Sequence, residues 1–170
     1  THSSRVDFLH RVEKWFSFIA THLCSEDIVC CIGLSDIDNM SLFLASCLHF
    51  KKWVAINPRL SKEDILVQLS QIPISSYIAS DDLELANYSY LNFQTSYYKK
   101  PTSYLIDCSR DCLMVFTSGS GGSPKAVVHK FKALLVSAKA TNTFYSLDKG
   151  DTWLLSLGLF HIAGIMIFIR

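Results

Sequence analysis

The chain has 170 residues, about one domain's worth of polypeptide, of which 49% are hydrophobic and 18% are charged. This composition supplies ample material for a hydrophobic core. The formal net charge is only +1, and the Lys and Arg residues are scattered along the chain. The sequence therefore lacks the concentrated basic surface of a nucleic-acid-binding protein, and it excludes nucleic acid as a partner.

The amino-terminal half alternates helical and strand-like segments. Apolar residues at helical spacing predict a helix over residues 5–22. Polar capping residues predict two further helices, one begun by Asn39 and running through Phe50, the other begun by Ser61 with Asp64 three residues on. Short apolar runs with polar boundaries predict strands over residues 28–34, 53–56 and 74–79.

The carboxyl-terminal half continues this alternation after a break. Residues 81–102 are polar and rich in tyrosine without a clear period, which predicts a loop or irregular region. Beyond it, the sequence predicts a helix over residues 130–145 and strands over residues 104–106, 113–116 and 126–129. Strands that alternate with helices predict an α/β fold, with a mostly parallel sheet and covering helices.

The segment 153–169 is apolar enough to suggest a membrane span. It has no ionisable side chain except His161, and its 17 residues reach the lower limit for crossing a bilayer. Ser156, Gly158 and Gly164 interrupt it, and its alternating first half is typical of a strand. We therefore predict a buried strand followed by a buried helix, and no membrane span.

Six cysteines are present, and their spacing is not that of a metal site. No C-x-x-C pair occurs, and no His lies at zinc-finger spacing, so we predict no metal ligands among them. We interpret all six as free thiols in a reducing compartment. The amino terminus has no apolar signal-peptide core, and we expect a cytoplasmic protein. The cysteines are Cys24, Cys30, Cys31, Cys47, Cys108 and Cys112.

The most specific signal is a run of hydroxyl and glycine residues from Thr117 to Ser123, closed by Pro124 and Lys125. Apolar strand-like segments precede and follow it. Glycines let the backbone approach a ligand, and successive backbone N–H groups form a concavity that binds anions. With the hydroxyls and one ammonium group, the run suits a polyphosphate. It is not a Walker A loop, because Pro124 separates the glycines from the lysine. The structural alternative is a plain surface hairpin.

Three motifs carry a family resemblance. The run resembles the phosphate loop T-S-G-[ST]-T-G-x-P-K of the adenylate-forming acyl-CoA synthetase superfamily, with Gly121 where the family has Thr. Residues 159–164, L-F-H-I-A-G, resemble the family's next motif, with Gly158 in place of the usual Pro. Residues 57–60, N-P-R-L, resemble the end of an earlier block. Residues 124–129 and 151–157 are most similar to the o-succinylbenzoate–CoA ligase branch, which serves menaquinone biosynthesis.

The resemblance implies a two-step ligase reaction that uses ATP, Mg²⁺ and coenzyme A. A small-molecule carboxylate, o-succinylbenzoate in this branch, is activated as an acyl-adenylate and then transferred to the thiol. His161 is implied as the catalytic residue at the acyl end, although a lone His in an apolar segment is more often a packed core residue. The resemblance implies that the β- and γ-phosphates are held by Thr117, Ser118, Gly119, Ser120, Gly122 and Lys125.

The family's later motifs fall beyond residue 170. They include the adenine-binding segment, the acid that holds the ribose, the hinge and the carboxyl-terminal lysine. We therefore expect residues 1–170 to form a partial amino-terminal domain that is inactive by itself. Two alternatives stay open: another adenylating enzyme, such as a fatty-acyl or aryl-CoA ligase or a peptide-synthetase adenylation domain, or a non-enzymatic truncated remnant. Homo-oligomerisation is also left open.

Overall fold

The structure is a computed structural model that describes residues 4–81, 83–93, 100–118 and 123–170. These residues form five helices and six strands. The helices are α1 (Arg5–His22), α2 (Asp36–Leu48), α3 (Lys62–Leu69), α4 (Phe131–Phe144) and α5 (Ile162–Ile169). The strands are β1 (Ile28–Ile32), β2 (Lys52–Ile56), β3 (Ser76–Ala79), β4 (Ser89–Leu91), β5 (Asp111–Ser118) and β6 (Pro124–Lys130).

The strands form one sheet in the order β4-β3-β1-β2-β5-β6. Every neighbouring pair is parallel except β5 and β6, which form an antiparallel hairpin at one edge. Parallel neighbours need crossover connections, and helix α2 provides the one from β1 to β2. Strand β4 follows β3 with no helix between them among the described residues. The prediction of a mostly parallel α/β sheet with covering helices is confirmed.

Helices cover both faces of this sheet. Side chains alternate along a strand, so Val29 and Cys31 of β1 face one side, whereas Ile28, Cys30 and Ile32 face the other. The first set packs with core residues of α1, α2, α4 and α5. The second set packs with Ile65 and Leu69 of α3. Because both faces are covered, the central strands are apolar almost without interruption, as is typical of parallel sheets.

Serine caps begin the first three helices. Ser61 caps α3 as predicted, accepting a hydrogen bond from the Asp64 backbone N–H at 3.1 Å. The predicted start of α2 was wrong. The helix begins at Asp36 and is capped by Ser35, whose hydroxyl accepts from the Asp38 backbone N–H at 3.3 Å.

Asn39 instead lies buried inside α2. Its side-chain amide donates to the Leu34 carbonyl oxygen at 2.8 Å, and its oxygen accepts from the Cys31 thiol at 3.2 Å. Asn39 therefore ties α2 to the end of β1. The local preference of Asn for caps did not reveal this tertiary role.

Two predictions around the irregular region also need correction. Residues 89–91, predicted as loop, form β4 and pair in parallel with β3. Residues 104–106, predicted as a strand, have no sheet partner. Leu105 is 83% exposed, and the Tyr104 hydroxyl donates to a carboxylate oxygen of Glu13, which is buried on α1. Residues 104–106 have the apolar composition of a strand, but the Tyr104–Glu13 side-chain contact attaches them to α1, and no backbone pairing attaches them to the sheet.

The apolar segment after residue 152 is also not a strand. Residues 151–156 have no regular structure, and Leu154 is 80% exposed. The predicted buried helix does form, as α5, with Gly164, Ile165 and Met166 buried. A Cβ built on Gly164 would lie 2.6 Å from the Leu157 carbonyl oxygen and closer still to that of Gly158. The first turn of α5 therefore rests directly on the backbone before it.

All six cysteines are free thiols. Cys30, Cys31, Cys47 and Cys112 are buried, as expected for small hydrophobic side chains, and burial raises the pKa of the Cys30 and Cys31 thiols. Within the described ranges, no cluster of His, Cys, Asp or Glu could hold a metal ion. None of the helices described is long and apolar enough to cross a membrane.

Candidate functional site

The hairpin of β5 and β6 brings three of the predicted phosphate-binding residues together. Its last two pairs are Thr117 opposite Lys125 and Ser118 opposite Pro124. The Thr117 hydroxyl donates to the Lys125 carbonyl oxygen at 3.4 Å. The side chains of Thr117, Ser118 and Lys125 are exposed to solvent. The described end of the hairpin therefore presents hydroxyl and ammonium groups to solvent.

This end of the hairpin lies at the edge of the sheet where ligands usually bind. The first part of β5, from Cys112 to Val115, is buried, and the chain becomes exposed only at Thr117. Strand β2 runs parallel beside β5, so the carboxyl ends of both strands meet at the same edge. In open α/β sheets, ligands gather outside the carboxyl ends of the strands. The polar end of β5 therefore has the position expected of a binding site.

The pleat of β5 separates Thr117 from Ser118. Val115 packs in the core on the side of α4 and α5, whereas Phe116 and its partner Ala126 pack on the side of α3. Directly opposed residues of an antiparallel pair share a face, and successive pairs alternate. Thr117 and Lys125 therefore project together on the face of α4 and α5, and Ser118 projects toward α3.

A cleft of about 480 Å³ lies between α3 and the end of the hairpin. Asp64 and Gln68 line it from α3, and Phe116, Ser118 and Pro124 line it from the hairpin, with Thr117 at its border. Asp64 supplies its one charged side chain; the Asp64 carboxylate accepts a hydrogen bond from the Ser61 hydroxyl at 2.9 Å. Sequence reasoning missed the α3 wall, because only tertiary packing places this helix beside the hairpin.

His161 occupies the N-cap position of α5 rather than the end of a strand. Its side chain is exposed, and its ring lies 4.6 Å from that of Phe160 between centroids, in an edge-on arrangement. The prediction that His161 follows a strand was wrong, and so is the alternative of a packed core residue. Leu159 and Ile165, on either side of it, belong to the core on the α4 and α5 face. His161 thus lies on the same side of the sheet as Thr117 and Lys125, although no contact joins it to them in the part of the chain described.

The remaining predicted ligands, Gly119, Ser120 and Gly122, lie outside the described residues, as does Gly121. Gly158, the other departure from the family pattern, is described. A Cβ built on it would lie 2.6 Å from Cζ of Phe160, with a second ring atom nearer still. The absence of a side chain at position 158 therefore makes room for the Phe160 ring.

A family comparison agrees with this geometry. The sequence profile of the AMP-binding enzymes matches residues 53–169, which include the hairpin and α5. The chain belongs to the AMP-binding enzyme family. The match covers more than half of the chain and contains all three motifs on which the resemblance was based.

Individual relatives carry a more specific name. The chain is 30% identical over 151 residues to a 2-succinylbenzoate–CoA ligase of Listeria monocytogenes, covering 85% of this chain and 32% of the relative. It is 33% identical over 142 residues to the ligase of the same name from Haemophilus influenzae, covering 82% of this chain and 29% of the relative. The chain therefore spans about a third of the length of these curated relatives.

A solved structure shares the fold. The chain superimposes on o-succinylbenzoate coenzyme A synthetase from Bacillus subtilis, in complex with ATP and a magnesium ion, with a TM-score of 0.83. The match covers 99% of this chain and 48% of the other, at 20% sequence identity. Likeness at this identity establishes the α/β fold of this family and, by itself, nothing about the substrate.

Proposed function

We propose that this chain is a partial amino-terminal domain of an ATP-dependent acid–CoA ligase and supplies its phosphate-binding hairpin. The observation that carries the proposal is the pairing of Thr117 with Lys125 at the carboxyl end of β5. It places one hydroxyl and one ammonium group on one face of the sheet, both exposed. A polyphosphate needs hydrogen-bond donors and positive charge at one place, and this pair provides them.

The residues present fit MgATP as a ligand. Lys125 serves as a point charge for the β- and γ-phosphates. The Thr117 hydroxyl has a single proton, so it leaves the Lys125 carbonyl oxygen when it donates to phosphate. Ser118, Gly119, Ser120 and Gly122 complete the proposed site through backbone N–H groups of the kind that cradle anions. Mg²⁺, when bound, neutralises charge that develops on the phosphate oxygens. We propose no protein ligand for the metal.

The proposed reaction has two balanced steps. A carboxylate oxygen attacks the α-phosphorus of ATP, and the bond to the bridging oxygen breaks, so that pyrophosphate leaves and an acyl-adenylate forms. The thiolate sulfur of coenzyme A then attacks the acyl carbon, and AMP leaves with its oxygen. In this chain, the hairpin would stabilise negative charge on the departing pyrophosphate. Such stabilisation by preorganised donors is usually the largest single contribution to an enzyme's rate enhancement.

His161 is proposed to act at the acyl end. It is exposed on the same side of the sheet as Thr117 and Lys125, so a substrate on that side could reach both. An imidazole there can donate a hydrogen bond to the substrate carboxylate and orient it toward the α-phosphate.

We further propose o-succinylbenzoate as the carboxylate, and menaquinone biosynthesis in the cytoplasm as the setting. Support comes from the names of the relatives in Listeria and Haemophilus, and from the residues of the hairpin that resemble this branch. The competing substrates are the fatty and aryl acids used by other adenylating enzymes.

A chimera tests the proposal directly. The corresponding third of the Listeria relative would be replaced by this chain, and the purified chimera supplied with ATP, Mg²⁺, o-succinylbenzoate and coenzyme A. We expect release of pyrophosphate and formation of a thioester with o-succinylbenzoate, and much less with a fatty or aryl acid. A folded chimera that releases no pyrophosphate with any of these acids would refute the proposal.

The isolated chain provides the matching control. We expect it to form no thioester under the same conditions, because the site proposed in this chain binds only the β- and γ-phosphates and the substrate carboxylate. Turnover by the isolated chain above a no-protein control would show that the proposed division of the site is wrong.

A further inference from the structure

The motif treats Thr117 and Ser118 as equivalent hydroxyl residues, but the hairpin separates them. Phe116 and Ala126 pack on the α3 side of the sheet, and the next pair, Thr117 and Lys125, points to the other side. Ser118 follows with the opposite orientation, and it lines the cleft that α3 closes. Thr117 also borders the cleft, but its hydroxyl is turned to the Lys125 carbonyl oxygen.

Helix α3 presents a matching polar surface across that cleft. Asp64 and Gln68 are four residues apart and therefore lie side by side on one helix face. Their neighbours Ile65 and Leu69 are buried against the sheet, which fixes the helix relative to the hairpin. Gln68 is half-buried and lines the cleft, and its side-chain amide makes no hydrogen bond to another described residue.

We infer that Ser118 is a positioning residue, held toward α3 by Gln68, and that among the described residues of the hairpin Thr117 and Lys125 are the ones that offer their side chains to phosphate. The inference rests on the proposed function for its ligand. The carboxamide of Gln68 has both donor and acceptor groups, so it can bond the Ser118 hydroxyl across the cleft through one water; no direct hydrogen bond joins these two described side chains in this structure. The link sets the distance between the hairpin end and α3, and thereby the position of Thr117 and Lys125 on the other face.

Charge in the cleft agrees with this division of roles. Its one charged lining group is the Asp64 carboxylate, which disfavours a bare phosphate there. Lys125, the cation of the hairpin, is not among the lining residues and projects on the opposite face. The α3 side therefore suits a network of neutral hydrogen bonds, and the other side suits an anion.

Double-mutant cycles on the 170-residue chain test the inference. Ser118→Val and Thr117→Val each remove a hydroxyl at nearly constant shape, and Gln68→Leu removes the amide. Two quantities are measured: hydrogen exchange of the amides of residues 115–118, and the Kd for MgATP from amide chemical shifts. Ser118→Thr, which keeps the hydroxyl, serves as the conservative variant.

We expect Ser118→Val and Gln68→Leu each to accelerate exchange about threefold to tenfold, the range for one neutral hydrogen bond. The double variant should show no more than either single change, because both remove the same link. Thr117→Val should instead weaken MgATP binding about threefold to tenfold and combine additively with Gln68→Leu. Ser118→Thr should restore wild-type exchange. Gln71→Glu, an exposed change just beyond α3, is the control and should leave both quantities within twofold.

The outcomes separate this inference from the proposed function. Additive exchange effects of Ser118→Val and Gln68→Leu, or no effect of either, would overturn the inference whatever the chain binds. Loss of MgATP binding on Ser118→Val without any change in exchange would also overturn it, because the Ser118 hydroxyl would then be a ligand. Unchanged MgATP binding in Thr117→Val and Lys125→Ala, with Ser118 and Gln68 still coupled, would overturn the phosphate site and leave the positioning link intact.

Discussion

Thr117 and Lys125 lie directly opposite each other near the end of the β5–β6 hairpin, one pair before Ser118 and Pro124. The Thr117 hydroxyl donates a hydrogen bond to the Lys125 carbonyl oxygen at 3.4 Å. Directly opposed residues of an antiparallel pair share one face of the sheet. A residue just before the glycine-rich run and a residue just after it are therefore presented as one unit. This arrangement is the physical basis of the polyphosphate site that we propose.

The environment of His161 predicts that its replacement will not harm the fold. Its side chain is exposed at the N-cap of α5, and Asn is one of the best N-cap residues. His161→Asn should leave the melting temperature of the chain unchanged or slightly raised. In the chimera, the same change should reduce adenylation with o-succinylbenzoate. A lower melting temperature with normal adenylation would show that His161 has a structural role only.

Gly164 predicts a strong effect from a single methyl group. An added Cβ would meet the carbonyl oxygens of Leu157 and Gly158, which belong to the backbone and cannot rotate away. Gly164→Ala should lower the free energy of unfolding by about 1–3 kcal/mol, although Ala favours helices more than Gly does. Urea unfolding measures the change. Gly150→Ala is the matched control, since nothing lies within 4 Å of the added Cβ there. Equal stability of the two variants would contradict the tight packing of α5.

The ring of Phe160 predicts a coupling with Gly158. A Cβ at position 158 would overlap the Phe160 ring, whose atoms are side-chain atoms and can move at some cost. Gly158→Ala should therefore destabilise the wild-type chain more than it destabilises a Phe160→Ala variant. A double-mutant cycle in urea measures the difference, which should exceed about 0.5 kcal/mol. Additive effects would mean that the ring is not the reason for the glycine.

The contact between Tyr104 and Glu13 predicts a pH dependence at the alkaline end. The Tyr104 hydroxyl donates to the Glu13 carboxylate, and this hydrogen bond raises the pKa of the phenol above its usual value. A raised pKa in the folded state contributes stability below the unfolded pKa of about 10, and this contribution is lost as the pH rises through the folded pKa. Phenolate absorbance of the wild type minus that of Tyr104→Phe reports the titration. Glu13→Gln should bring the pKa of Tyr104 down toward its ordinary value. An equal Tyr104 pKa in the wild type and in Glu13→Gln would exclude the contact.

Much of the fold follows from local signals in the sequence. The apolar spacing of residues 5–22 and the pairing of Ser61 with Asp64 act within one or two helical turns, and α1 and α3 form where those signals predict them. The features that were missed depend on distant partners. Strand β4 is three residues long and exists because β3 pairs with it. The apolar residues 104–106 and 153–157 resemble strands in composition but find no sheet partner.

The candidate site divides in the same way. The run from Thr117 to Lys125 is contiguous, so its chemistry could be predicted before its geometry was known. The division of Thr117 and Ser118 between two faces required the register of β5 with β6 and the packing of Phe116. Gln68 has no motif around it, and only the packing of Ile65 and Leu69 against the sheet brings it to the cleft. The environment of His161 likewise became clear only from its place at the start of α5.

The central claim is that the end of the β5–β6 hairpin binds the phosphates of ATP, and Lys125 tests it most directly. The affinity of the 170-residue chain for MgATP would be measured by amide chemical shifts in the wild type, in Lys125→Ala and in Lys130→Ala. Lys130 is the exposed lysine at the opposite end of the same strand, paired with Asp111, and serves as the matched control. A charge-assisted contact contributes about 1.5–3 kcal/mol, so Lys125→Ala should raise the Kd roughly tenfold to a hundredfold, and Lys130→Ala should change it less than about twofold. Equal affinities in all three proteins, or no saturable MgATP binding by the wild type, would contradict the account.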